Sequence, residues 1–143
     1  MGSFSAAELA GLSVRLHEVR LGRVVDLVLD PTARRVLGFV VDCGDETTRF
    51  LPFAASQPAE NQIAVASALM LLDDVGFYRK HGVLFRALAG AEIERAGVLA
   101  GTLVDMLVDR GGDIVELELA HDGARSRVPA DGFPLSTRAA TAA

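Results

Sequence analysis

The sequence has little of several residue types on which whole classes of protein depend. Its single cysteine, Cys43, cannot form an internal disulfide, so a reducing compartment such as the cytoplasm is expected. Lysine and arginine together number 14 against 19 acidic residues, which gives a net charge of −5. Because a protein that wraps nucleic acid needs clustered basic side chains, direct nucleic-acid binding is not predicted. Only one basic residue is a lysine, Lys80, a bias that suggests a GC-rich bacterial genome.

Long apolar runs are also missing. The longest, Ile63–Leu72, has about half of the ~20 residues that a membrane-spanning helix needs. The opening residues, MGSFSAAELAG, lack the basic start and the apolar core of a signal peptide. With 50% hydrophobic and 23% charged residues, the composition predicts a soluble globular protein without a transmembrane segment.

The sequence does contain an internal repeat. Leu9–Asp30 aligns without gaps on Leu88–Asp109, with eight identical residues. The residues that mark the repeat are Gly22, Asp26, Asp30 and Pro52 in the first copy and Gly101, Asp105, Asp109 and Pro129 in the second. A chance match would not keep glycines, aspartates and prolines in one order. The repeat therefore predicts two copies of one structural unit.

Each copy has the pattern of a β-structure. In GRVVDLVLD, and again in GTLVDMLVD, apolar residues recur with a period of two. Turn residues follow, and then a second apolar strand, so a small antiparallel barrel or sandwich is predicted for each copy. The residues predicted to point into the two cores are Val25, Leu27, Leu29, Leu37, Phe39 and Val41, and Val104, Met106, Val108, Val115, Leu117 and Leu119.

A partly helical linker is predicted between the copies. NQIAVAS predicts a strand, and residues 76–88 predict a helix because their apolar residues recur near helical spacing. Ser5 and Glu8 fit a capping box of a short N-terminal helix. The predicted domain plan is a first repeat over 1–75, a linker over 76–87, a second repeat over 88–135 and a loose tail over 136–143.

The repeated pattern resembles the PRC-barrel domain. The shared features are a G-x-V/L-V-D run, a turn with an aspartate, an apolar strand and a closing proline. This family is named for the H subunit of the photosynthetic reaction centre, and it includes the C-terminal domain of a ribosome maturation factor. The resemblance covers Leu9 to about Leu72 and Leu88 to about Leu135. It implies an all-β fold with minor helix, in which two small antiparallel β-barrels are related by duplication.

The chain departs from both of those relatives. It has no transmembrane helix like that of the reaction-centre subunit. Where the ribosome factor has a different N-terminal domain, this chain has another barrel. The resemblance therefore implies a stand-alone tandem PRC-barrel protein in a non-catalytic, protein-binding role.

Residues that could carry chemistry do not form a recognisable catalytic or metal site. Within each of the pairs Asp26–Asp30 and Asp105–Asp109, the carboxylates lie roughly 13 Å apart on a strand. Paired catalytic carboxylates need about 5–9.5 Å, so a role in accepting turn N–H bonds is predicted instead. The three histidines have no partner at i+4, and Cys43 has no adjacent histidine or CxxC motif. No metal, cofactor or enzyme activity is therefore predicted.

Two candidate interaction surfaces remain. The first copy is apolar on both faces of its strands, whereas the second carries Glu116 and Glu118 on its outward face. The candidate interaction face consists of Val24, Val28, Val36 and Val40. It needs a cover, which could be the second barrel, the Phe77–Leu88 segment, another copy of the chain or a partner. The candidate docking patch for an acidic partner consists of Tyr78, Arg79, Lys80 and His81.

The predicted function is that of an adaptor or scaffold that binds another protein or a further copy of itself. One alternative is a ribosome-assembly factor that binds a ribosomal protein rather than RNA. Another is an enzyme or ligand-binding protein with a site in the cleft between the barrels, because clefts between domains often bind ligands.

Overall fold

The computed structural model describes residues 3–73, 75–131 and 133. The strands are β1 (Phe4–Ser5), β2 (Ser13–Leu16), β3 (Val19–Asp30), β4 (Arg35–Asp42), β5 (Thr48–Pro52), β6 (Ser56–Pro58), β7 (Gln62–Val65), β8 (Val83–Leu84), β9 (Glu92–Arg95), β10 (Val98–Val108), β11 (Ile114–His121) and β12 (Ala124–Pro129). The helices are α1 (Ala6–Leu9), α2 (Val75–His81) and α3 (Phe85–Leu88), with 3₁₀ turns at Phe53–Ala55 and Ala68–Met70.

These strands form two curled, mostly antiparallel half-barrel sheets. The first has the order β5-β4-β3-β2-β7-β6, with β8 also on β3. The second has the order β1-β10-β11-β12, with β9 also on β10. Only the pairing of β2 with β7 is parallel among the described strands. The predicted fold class, an all-β protein with two PRC-like barrels and minor helix, is confirmed.

The two sheets repeat each other in detail. The backbone N–H of Val24 donates to Leu12 O at 2.9 Å, and 79 residues later Leu103 donates to Ala91 O at the same distance. A β-bulge interrupts β3 between Val24 and Asp26, and β10 has one between Leu103 and Asp105. Equivalent hydrogen bonds and bulges therefore occur at the positions that the sequence repeat pairs.

The bulges correct the predicted core. A bulge inserts one extra residue and so reverses which face the following side chains occupy. Val25 and Val104 are the extra residues of the first bulge in each sheet, and Leu37 and Val115 are the extra residues of a second bulge. The prediction that these four point into the main core is wrong, and Val115 is 39% exposed. The other predicted core residues are buried there: Leu27, Leu29, Phe39, Val41, Met106, Val108, Leu117 and Leu119.

The repeats exchange their first segments. Strand β1 pairs with β10 of the second sheet, where Phe4 lies opposite Val108. Its counterpart β8 pairs with β3 of the first sheet, where Val83 lies opposite Leu29. Each sheet is therefore completed by the strand and short helix that begin the other repeat.

The sheets also meet through a reciprocal bridge. Val36 N donates to Gly112 O at 2.8 Å, and Ile114 N donates to Arg34 O at 2.9 Å. One continuous core contains buried residues of both repeats. The structural repeat thus begins at Phe4 and at Val83, so the last residues of the predicted 76–87 linker belong to the second unit.

The linker is less helical than its spacing predicts. Helix α2 ends at His81, and Gly82 then lies against the first sheet. A Cβ on Gly82 would lie 2.5 Å from Val28 Cγ1, so the chain approaches the sheet as only glycine allows. The chain continues as β8 and α3 rather than as one helix to Leu88. The predicted strand in NQIAVAS is confirmed as β7.

Candidate functional site

Asp26 is the buried charged residue of the described part of the chain, with 7% of its surface exposed. Its carboxylate Oδ1 accepts a hydrogen bond from Leu27 N at 2.8 Å. The same oxygen accepts one from Arg86 N, in the first turn of α3, at 3.1 Å. Because the first N–H groups of a helix have no partner within it, Asp26 completes the start of α3. The aspartate of the first repeat thus anchors the helix of the second.

Asp105 has the reciprocal arrangement. Its Oδ1 accepts from Met106 N at 2.7 Å and from Ala7 N, in the first turn of α1, at 2.9 Å. The Ser5 hydroxyl donates to its other oxygen and accepts from Glu8 N at 3.2 Å, which is the predicted serine cap of α1. Asp26 and Asp105 are therefore matching anchors of the two exchanged segments.

Asp30 and Asp109 lie in turns, as predicted. Asp30 Oδ1 accepts from the N–H groups of Thr32 and Ala33, each at 3.0 Å. Asp109 Oδ1 accepts from Gly111 N and Asp113 N, each at 2.9 Å. The carboxylates hold the turns after β3 and β10, the turns that approach each other at the bridge between the sheets.

The marker glycines permit close approach of neighbouring strands. A Cβ on Gly22 would lie 2.6 Å from Asp42 O, and one on Gly101 would lie 2.8 Å from Ala120 O. Pro52 and Pro129 end two equivalent strands of the repeats, β5 and β12. All eight marker residues therefore occupy turns, strand contacts or anchors of the fold.

The candidate interaction face is not a surface of the chain. Val24, Val28, Val36 and Val40 are each at most 3% exposed. Val24 and Val36 lie in the main core. The bulges next to them, at Val25 and Leu37, turn their side chains inward. Val28 and Val40 lie in a second, smaller cluster on the other side of the first sheet. The chain itself covers all four valines, which corrects the expectation that a partner could use them.

Helix α2 provides the cover of the smaller cluster. Its residue Val75 is buried there with Val28, Val40 and Phe50. The ring of Tyr78 stacks on Phe50 with centroids 3.7 Å apart and planes 6° apart. Apolar burial and ring stacking therefore hold α2 on the sheet.

The second repeat has a charged surface at the equivalent place. Glu118 takes the position of Val40, and its carboxylate lies 3.5 Å from both Arg125 and Arg127. Arg127 takes the position of Phe50 in the repeat alignment. The two outer faces therefore differ because one binds a helix of the chain and the other carries ion pairs.

The outward side of α2 is the most distinctive exposed surface. Phe77 is 56% exposed, which is unusual for a large aromatic side chain, and Arg79, Lys80 and His81 are exposed beside it. The Phe77 and His81 rings lie 4.4 Å apart between centroids. We call Phe77, Arg79, Lys80 and His81 the α2 patch. Tyr78, the remaining residue of the candidate docking patch, is half-buried between α2 and the first sheet.

The α2 patch is chemically suited to bind an anion-bearing apolar partner. Lys80 and His81 lie on the same helix face as the exposed Phe77 ring, and Arg79 is exposed nearby, on a chain whose net charge is −5. Three basic residues in the last turn also lie at the negative end of the helix dipole, which favours them there. The patch therefore combines a stable helix end with an exposed aromatic anchor.

A comparison with known protein families identifies the first half of the chain. The model of the PRC-barrel domain matches residues 1–73, just over half of the sequence. The chain belongs to the PRC-barrel family. A search of curated proteins found no match. In this PRC-barrel protein the match spans β1 to β7, whereas the α2 patch and strands β8 to β12 lie outside it.

A cleft of the PRC-barrel protein lies between the repeats. It has a volume of about 860 Å³ and forms where α1, the turn after β6 and the turn after β10 meet. Its lining residues are Ser3, Phe4, Ser5, Glu8, Leu9, Leu12, Ala59, Glu60 and Arg110. The buried Asp26 lies elsewhere, so the charged groups available to a ligand here are Glu8, Glu60 and Arg110.

Cys43 and the histidines lie apart from the α2 patch, except His81. Burial raises the pKa of the Cys43 thiol, and the nearby Arg49 guanidinium opposes that shift. His17 lies in a turn with φ of 55°, and His121 Nε2 lies 3.3 Å from Asp122 Oδ2. Across residues 3–73, 75–131 and 133, no three His, Cys, Asp or Glu side chains group as a metal site. No helix in this part of the chain is long and apolar enough to cross a membrane.

Sequence reasoning missed two features of the site. The exposed Phe77 was assigned to a helix by the same spacing that marks a buried face, so its exposure was not expected. Its position two residues before the basic run Arg79–His81 was the available signal. The exchange of β1 and β8 had no signal, because Phe4–Ser5 and Val83–Leu84 carry too few residues to show a pattern.

Proposed function

We propose that this protein is a cytoplasmic, non-catalytic adaptor built from two PRC-barrel domains, which binds an acidic protein partner through the α2 patch. The observation that carries the proposal is the exposed Phe77 next to exposed basic residues, on a helix that packs against the first sheet. Aromatic and arginine side chains are the residue types most enriched where protein interfaces bind most strongly.

The second domain is proposed from the internal equivalence. The bulges, the hydrogen bonds and the anchoring aspartates of the second sheet recur at the repeat positions. A sheet that reproduces these details supports a duplicated PRC-barrel domain. The exchanged segments and the shared core then join the pair into one unit, which suits a scaffold.

A non-catalytic role is supported by what the aspartates do. Oδ1 of Asp26 and Oδ1 of Asp105 each accept an N–H bond from the backbone of an exchanged helix. Asp30 and Asp109 are likewise engaged with turn N–H groups. These side chains stabilise the fold, and binding is left to exposed surfaces such as the α2 patch.

An acidic partner is supported by charge. Residues 75–81 contain Arg79 and Lys80 and no acidic residue, in a chain that is otherwise acidic. Opposite charges steer encounter and select partners, so the patch favours acidic segments over basic ones. Phe77 supplies apolar area that a purely electrostatic contact would lack.

Site-specific crosslinking in cells tests the proposal. A photoreactive phenylalanine analogue replaces Phe77 in the full chain, and mass spectrometry maps the captured segment. We expect one acidic segment, with capture lost in R79E/K80E. The matched control carries the analogue at Val19, which is 60% exposed and lies on the β2–β3 hairpin. Equal capture from both positions, or capture that survives the charge reversal, would refute the proposal.

A further inference from the structure

We infer that the acidic partner of the α2 patch is a second copy of this chain, which presents the β9–β10 hairpin of its second repeat. The inference rests on the proposed function, because it names the partner of the same patch. It is carried by a second exposed surface whose composition is complementary to the first. We call Glu92, Glu94 and Leu99 the hairpin patch.

The hairpin patch combines acidic and aliphatic side chains in the open. Leu99 is 42% exposed, and both glutamates are exposed. Val98 lies opposite Arg95 in the strand register and therefore points to the other face. Leu99 is the cross-strand partner of Glu94, so the two side chains share a face, with Cβ atoms about 4.5–5.5 Å apart. Glu92 lies on the same face about 7 Å along the strand, while Ile93 between them points into the core.

This composition is specific to the second repeat. The equivalent hairpin of the first repeat has Ser13, Arg15 and Arg20 where the second has Glu92, Glu94 and Leu99. The first repeat also covers the outer edge of β2 with β7. Strand β9, the counterpart of β2, pairs with β10 alone among the strands of the described residues. One hairpin is therefore basic and covered, and the other is acidic, apolar and accessible.

The spacings of the two patches correspond. On α2, Lys80 and His81 follow Phe77 by three and four residues, so they lie on its face at about 5–6 Å. On the hairpin, Glu94 flanks Leu99 at a similar distance. Phe77 can therefore pack on Leu99 while the basic side chains face Glu92 and Glu94. Like the α2 patch, the hairpin patch pairs an apolar centre with charged neighbours, but of the opposite sign.

The contact joins different surfaces of the two copies. A contact of this kind is heterologous, so an open assembly retains one free α2 patch at one end and one free hairpin patch at the other, unless a ring closes. The patches are small and their charges lie at the rim, so the association is expected to be weak and salt-dependent. Raising the salt from 0.15 M to 1 M shortens the screening length from about 8 Å to about 3 Å and should reduce association.

Sedimentation velocity on the full chain over a concentration series measures the association. We expect R79E/K80E alone and E92R/E94R alone to associate at least about tenfold more weakly than the wild type, because both attractions become repulsions. An equimolar mixture of the two variants should associate again, since the reversed patches match each other. E18R/E60R makes the same charge change as E92R/E94R at exposed sites elsewhere and should associate as the wild type does.

Three results would overturn the inference. They are a wild type that stays monomeric at all concentrations, association that survives the charge reversals, and a mixture that does not recover. The crosslinking experiment separates this inference from the proposed function. Capture of the hairpin patch by position 77 supports both, and capture of a different acidic protein supports the proposed function while overturning the second copy as the partner. Absence of specific capture refutes both.

Discussion

Replacing Val40 with glutamate tests whether the smaller hydrophobic cluster is part of the folded core. Val40 is 0% exposed and lies with Val28 and Phe50 under α2. A glutamate there would place a carboxylate among apolar side chains without a partner, or force α2 off the sheet. An unpaired buried charge costs several kcal/mol, and the total stability of a domain of this kind is about 5–15 kcal/mol. Val40→Glu should therefore lose most or all of its stability at neutral pH.

Two control variants separate charge from volume. Val40→Ala removes about two buried methyl groups and should cost about 1.5–2.5 kcal/mol, because each buried carbon contributes about 0.8 kcal/mol. Glu118→Val places an apolar residue at the equivalent, half-exposed position of the second repeat and should leave the fold intact. The comparison shows whether the asymmetry of the two faces follows from the cover that α2 provides.

Urea unfolding monitored by circular dichroism measures these free energies. Tyr78 is the only tyrosine and the chain has no tryptophan, so tyrosine fluorescence reports the stacking on Phe50. We expect Val40→Glu to lower the midpoint strongly and to change the Tyr78 signal. An unchanged midpoint together with an unchanged Tyr78 signal would contradict the packing of α2 on the first sheet.

The remaining predictions concern the anchors, the linker and the thiol. Asp26→Ala and Asp105→Ala should each cost about 1–3 kcal/mol in thermal unfolding, because helix N–H groups lose their acceptor, and asparagine should restore part of the loss. Similar losses are expected from two equivalent sites, so a large effect at only one would contradict their reciprocity. Gly82→Ala should change the Tyr78 fluorescence, because its Cβ would push α2 from the sheet; a wild-type spectrum would show that the contact is not tight. Cys43 should be alkylated more slowly than a free thiol near pH 8, since its pKa is raised and less thiolate is present, and Arg49→Ala should slow it further; a faster reaction would contradict this environment.

The strand content and the repeat could be predicted from the sequence because they depend on local periodicity. Leu27, Leu29, Leu117 and Leu119 follow the alternation that a strand with one buried face requires, and all four are buried. Val25 and Leu37 follow the same alternation but are displaced by bulges. A bulge adds one residue to a strand, and no residue type marks its position in these strands. The pattern therefore could not predict at which residue the alternation of buried and exposed side chains shifts.

The candidate site was predicted in part for a similar reason. The basic run of α2 was visible in the sequence, and Arg79, Lys80 and His81 are exposed. The sequence pattern assigns Tyr78 to the exposed patch and Phe77 to the apolar face of the helix. In the structure Phe77 is exposed and Tyr78 is half-buried. The direction of each ring depends on where α2 contacts the first sheet, which is a tertiary contact.

The sequence by itself determined that this protein has two related β units, where most of their longer strands and the turns after β3 and β10 lie, and that Asp30 and Asp109 belong to those turns. These properties follow from residues close together in the chain. Only the tertiary structure decided that the repeats exchange β1 and β8, that Asp26 and Asp105 anchor each other's repeat, and that α2 covers Val28 and Val40. Each of these features depends on contacts between residues that are distant in the sequence. The hydrophobic effect favours burial of apolar side chains but has no direction, so the geometry of the folded chain selects which residues meet.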